Sequence, residues 1–132
     1  MKRSWMVVLV SVALAATGVV VCIRLISHTH SIDSRYRAHR AALAELAQQY
    51  VDGHLDGMLT LPPGLRSLSP SGFAYASPTA LFVQTWQNWR AESGTGLAFF
   101  AATPTAQTTI ATASGDAGQP QREVGDGWWW VE

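Results

Sequence analysis

Four histidines and one cysteine are the residues of this chain best suited to ligate a metal or attack a substrate, and their spacing limits both. His28-Thr29-His30 with Asp33, and Asp52, His54 and Asp56, offer donor types that a cation accepts. On a helix, alternate residues lie far apart around the circumference, whereas a zinc site needs side chains that converge. Both sets therefore read as solvated polar residues, and no metal is expected. Cys22, the sole thiol, falls inside an apolar stretch, and Ser71-Gly72 lacks the G-x-S-x-G surround of an activated serine. No Gly-rich phosphate loop is present, and the carboxylates are scattered. The expectation is a protein without catalytic activity and without a cofactor.

Trp128-Trp129-Trp130 is a different kind of signal. On a strand, successive side chains point to opposite faces, so Trp128 and Trp130 share one face and Trp129 takes the other. The pair suits a core. Trp129 is then the candidate partner-binding residue, an aromatic available to a protein, a glycan or the membrane interface.

The element that must position all of this is the run from Trp5 to Ile23, which carries no charge. About 20 apolar residues suffice for a helix to cross the hydrocarbon core of a bilayer. Lys2 and Arg3 precede the run, and Ala13-Leu14-Ala15 has the form of a signal-peptidase site. Cleavage there would leave Thr17-Gly18-Val19-Val20-Val21 as a hydrophobic terminus, so the reading is an uncleaved signal anchor over residues 5–26 behind a short basic tail, residues 1–4. Ser11, Ala15, Gly18 and Cys22 recur at spacings of four, three and four, a stripe of small side chains along which another helix can pack. Val21 before Cys22 does not fit a lipidated cysteine, and a buried thiol is the plainer reading.

Residues 27–56 read as a juxtamembrane amphipathic helix, with Tyr36, Leu43, Leu46, Ala47 and Tyr50 on one face and alanines supplying propensity. Residues 57–72, containing Pro62-Pro63-Gly64, read as a Pro/Ser-rich connector, and residues 73–132 as a small antiparallel β domain. Short segments at 72–77, 97–102, 106–113, 122–124 and 128–131 are each bounded by turn formers, and Gly125-Asp126-Gly127 is a hairpin loop. Residues 79–90 fit a strand with Phe82, Gln84 and Trp86 on one side and Leu81, Val83 and Thr85 on the other. They also fit a helix with Phe82, Trp86 and Trp89 aligned behind Ser77-Pro78. Their aromatic and β-branched content favours the strand. The predicted fold class is α+β: an N-terminal transmembrane helix, an amphipathic helix, then an antiparallel β meander of four to five strands.

Charge is divided along the chain. Lys2, Arg3, Arg24, Arg35, Arg37 and Arg40 face only Asp33 up to residue 40, whereas Arg66, Arg90 and Arg122 face eight acids beyond it. A basic root suits anionic lipid headgroups, and an acidic domain argues against nucleic acid as its ligand. A single cysteine forms no intrachain disulfide. Counting basic residues alone keeps the C-terminal side in the cytoplasm, but a short positive tail before an apolar run is how a secretory signal begins, and the Thr-, Gly- and Trp-rich remainder suits an extracytoplasmic domain. We read the domain as extracytoplasmic.

A membrane helix running into an amphipathic helix and a small sheet resembles the architecture of type IV pilins and pseudopilins. The residues that mark those proteins differ here: Ser4 rather than Gly precedes the apolar run, and no acid occurs before Asp33. The resemblance implies the alternative function, a structural assembly subunit. The leading expectation is a single-pass protein of the cell membrane whose small domain binds or supports a protein partner, or a second copy of itself, at the membrane surface.

Overall fold

The computed structural model describes residues 32–69, 71–88, 93–113 and 116–132. The expected anchor and its small-residue stripe, Ser11, Ala15, Gly18 and Cys22, lie outside the described residues, as do His28 and His30. Among the described residues no helix is long and apolar enough to cross a membrane. Residues 35–132 form one compact unit, to which every contact below belongs.

The predicted amphipathic helix is two helices, α1 over residues 32–38 and α2 over Arg40–Val51, with His39 between them at φ −113°. A ring of bonds holds that break. The His39 Nδ1–H donates to the Arg35 carbonyl at 2.8 Å, and Nε2 meets the Ser67 hydroxyl at 3.0 Å. A carbonyl only accepts, so Nδ1 carries a proton, and the Ser67 hydroxyl, which both donates and accepts, meets Nε2.

Eight strands follow: β1 Gly57–Thr60, β2 Phe73–Ala76, β3 Ala80–Asn88, β4 Ser93–Phe100, β5 Ile110–Ala113, β6 Asp116–Gly118, β7 Pro120–Gly125 and β8 Trp128–Val131. Six make one antiparallel sheet in the order β1-β2-β3-β4-β8-β7, and β5-β6 form a separate hairpin. The α+β class therefore holds, while the four to five strands of the sequence reading become six plus two. Two causes account for the difference. The supposed connector begins with β1, and the segment between β4 and β7 turns out of the sheet instead of extending it. Of residues 79–90, Ala80–Asn88 are a strand as favoured, but a bulge between Gln84 and Trp86 places Trp86 opposite Thr95. Trp86 thus joins the face of Leu97, not that of Phe82 and Gln84, because a bulge resets the alternation. The β7–β8 loop is the two-residue Asp126-Gly127, both with positive φ, 51° and 81°. Asp-Gly is the natural pair for the I′ turn this demands.

Each face of the sheet has its own core. On one, Leu81, Val83, Leu97 and Trp128 are fully buried with Leu43 and Leu46 of α2 and Leu61 and Leu65 of the following loop. Tyr50 meets Phe99 edge-on at 6.1 Å, and Phe99 meets Trp128 at 5.7 Å, so the aromatic seam runs from helix to last strand. On the other face Ala80, Phe82, Ala98, Phe100, Ile110 and Val131 pack together under the β5-β6 hairpin. The hairpin lies very close to β4. A Cβ at Gly94 would come within 2.5 Å of the Thr112 carbonyl oxygen, so only glycine fits there.

Candidate functional site

The hairpin covers only the inner strands, and that leaves a recess. Register aligns Met58, Tyr75, Phe82 and Ala98 in one row across β1 to β4. Along this row exposure falls from 62% at Met58 and 57% at Tyr75 to 4% at Phe82 and none at Ala98. The residues are equally apolar, so the gradient reports how far the hairpin reaches. Phe73, next along β2 on the same side, is also exposed. Beside these three, Phe82, Gln84 and Ala111–Ala113 complete a concavity of about 370 Å³ without a charged residue in its lining. That volume is within the range of small-molecule and peptide-side-chain pockets.

The inner wall of the recess is tied down. Gln84 Nε2–H donates to the Thr112 carbonyl at 2.8 Å, and the Thr112 hydroxyl donates to Asp116 at 2.9 Å. Asp116 also accepts the Gly94 N–H at 3.3 Å. The outer wall is β1, and beyond it no strand follows among the described residues.

The two edges of the sheet are built differently. Leu61 N–H donates to the Gly72 carbonyl at 2.8 Å, so Leu61 and Gly72 are a hydrogen-bonded pair in the register that matches Leu59 with Ala74 and Gly57 with Ala76. In an antiparallel ladder such pairs alternate with non-bonded ones. Met58 and Thr60 therefore turn their N–H and C=O groups outward, and the edge Gly-Met-Leu-Thr has no charge, proline or bulge to block pairing. β7, at the opposite edge, begins with Pro120, carries Arg122 and Glu123, and is bulged twice.

The β7–β8 turn is instead fastened to the helices. Asp126 accepts the Tyr36 hydroxyl at 2.7 Å and the Arg40 Nε–H at 2.7 Å. Hydrogen bonds from Arg40 and then Tyr36 hold the Asp126 carboxyl below the usual range. Burial first, then the bond to Asp126, pushes the Tyr36 phenol up to about 12. Tyr50, whose hydroxyl donates to the Ser77 carbonyl at 2.6 Å, is also raised, by burial. Tyr36, Arg40 and Asp126 form a latch, in which the acid, its cation and its hydroxyl donor satisfy one another.

The sequence-derived candidates are dispersed. Trp128 and Trp130 do share the helix-side face, opposite Phe99 and Leu97, and Trp129 lies on the other, opposite Ala98. Trp129 is half-buried against the hairpin-side core. Arg122 stands 6.0 Å from the centre of the Trp130 ring. Asp52, the residue that follows α2, accepts from Gln48 at 2.9 Å, and no group of three His, Cys, Asp or Glu converges as metal ligands would among the described residues.

Met58, Phe73 and Tyr75 were not singled out by sequence. The signal was the alternation Phe73-Ala74-Tyr75-Ala76, which looks like aromatics inward and alanines outward. It is the reverse: Ala74 and Ala76 are buried. No family model, no curated protein and no solved structure matches this chain.

Proposed function

We propose that this chain is a membrane-anchored docking module without catalytic activity: residues 5–26 hold it in the bilayer, and the extracytoplasmic domain takes a protein partner at the recess beside β1. One observation carries the reading. Met58, Phe73 and Tyr75 are large, apolar, exposed and contiguous along an uncharged concavity that adjoins an unprotected strand edge. Exposed apolar surface gathered in one place favours association, and an open edge supplies main-chain hydrogen bonds to go with it.

The test is a photoreactive residue at Tyr75 in the full chain, irradiated in native membranes. A discrete protein adduct at Tyr75, absent when the same residue replaces Glu123, is expected. Labelling by lipid alone, or equal labelling at both positions, would overturn the reading.

A further inference from the structure

The docking reading leaves open what pairs with β1, and the inference here rests on that reading. We propose that the occupant is a second copy of this chain, its β1 running antiparallel to the first about a two-fold axis through Leu59.

The edge is self-complementary in three respects. Met58 and Thr60 both present N–H and C=O outward, so with Leu59 opposite its counterpart, Met58 of each copy pairs with Thr60 of the other and every outward donor meets an acceptor. The half-buried Leu59 side chains then meet at the axis on one face. On the other face, exposed Tyr75 and Met58 of one copy come into row with exposed Thr60 and Phe73 of the other.

The third respect is charge. Exposed Asp56 immediately precedes β1, while exposed Arg66 is held at its far end by the Nε–H that donates to the Leu61 carbonyl at 3.4 Å. Antiparallel pairing in this register sets Asp56 of one copy opposite Pro62 of the other, at the end of the strand that carries Arg66. Parallel pairing would place acid next to acid. The domain's excess of acids would otherwise keep copies apart, so the antiparallel register, which separates the two Asp56 and brings each to the end carrying Arg66, is the one selected.

Pairing ends where the backbone ends it. Pro62 and Pro63 follow Leu61 without N–H groups, and Gly57 enters the strand at φ 68°. The contact is small, and confinement of both copies to one bilayer supplies the effective concentration it needs.

The test uses the full chain in native membranes with Cys22→Ser to remove the native thiol. Leu59→Cys places two thiols at a non-hydrogen-bonded pair, with Cα atoms about 4.5 Å apart, within the reach of a disulfide. Mild oxidation should give a single dimer band at least about tenfold faster than Gln121→Cys on the β7 edge, the gain that enforced proximity brings. Thr60→Pro removes an outward N–H that the sheet does not use and should suppress the band, with the fold checked by circular dichroism. Should that variant unfold, Asp56→Arg replaces it: the single change should slow crosslinking and Arg66→Asp added to it should restore the rate.

Crosslinking of the Leu59→Cys variant no faster than that of Gln121→Cys, or capture of its introduced thiol by a different protein, overturns the self-pairing. With a protein adduct at Tyr75 and no disulfide dimer of the Leu59→Cys variant, self-pairing fails and docking stands; with neither, both fail.

Discussion

The helix-side face of the sheet is sealed except at Trp86, which is half exposed, and the hairpin-side face is half open. α2 and the loop at 61–69 together cover the first, where Leu43, Leu65, Leu81 and Val83 are wholly buried. Only two short strands cover the second. Strands lie about 4.8 Å apart, so a two-stranded hairpin shields roughly a third of a six-stranded sheet. Incomplete cover here is a matter of width. The outer strands β1 and β2 carry their large side chains on the side the hairpin does not reach, and the small ones, Ala74 and Ala76, on the side where helix and loop press close.

The contrast predicts a graded response to truncation. The largest effect belongs to the sealed face, where Trp128→Ala should cost ~3–5 kcal/mol and Leu43→Ala or Leu46→Ala ~2–5 kcal/mol. Urea unfolding of the detergent-solubilised full chain, followed by far-ultraviolet circular dichroism, measures this. Values under ~1 kcal/mol would show that the face is not a core. Trp129→Ala, on the half-covered face, should cost about 1–2 kcal/mol, because only part of its surface leaves water. Equal losses at Trp128 and Trp129 would erase the distinction between the faces. Met58→Ser and Tyr75→Ser should stay within about 0.5 kcal/mol, as surface changes do, while reducing crosslinking at the β1 edge. A large loss of stability from either would place these residues in the core.

The smallest effect is the latch, which closes the end of the sealed face. Asp126 has a lowered carboxyl in the fold, so its contribution is present above the ordinary carboxylate range and disappears as pH falls through the folded value. Tyr36, raised to about 12, contributes below the ordinary phenol value and loses that contribution as pH rises from there through about 12. Asp126→Asn should flatten the acid limb of a stability-against-pH curve and Tyr36→Phe the alkaline limb. A curve unchanged by both substitutions would mean the turn is held by the Asp126-Gly127 backbone alone.

Much of this fold was legible from spacing. The helix seam of Tyr36, Leu43, Leu46 and Tyr50, the Asp126-Gly127 turn and the division of the three tryptophans between two faces all follow from periods of 3.6 and 2. Four things were not. The break at His39 depends on Ser67, distant in sequence, and the bulge after Gln84 inserts a residue that no local pattern marks. Gly57–Thr60 is too short to alternate visibly, so β1 passed for connector. The recess was hidden for the same reason: whether Phe73 and Tyr75 face inward depends on which side a remote hairpin lies, and composition is silent on that.

The unequal edges also fix how far an assembly can grow. A strand edge acts as a bond that one neighbour uses up, and β7 with Pro120 and its two bulges offers no second one. Among the described residues, the six-stranded sheet thus has a valence of one on the proposed pairing. Head-to-tail addition through the six-stranded sheet needs two different open edges, and among the described residues that sheet offers one. Whatever β1 accepts, it terminates.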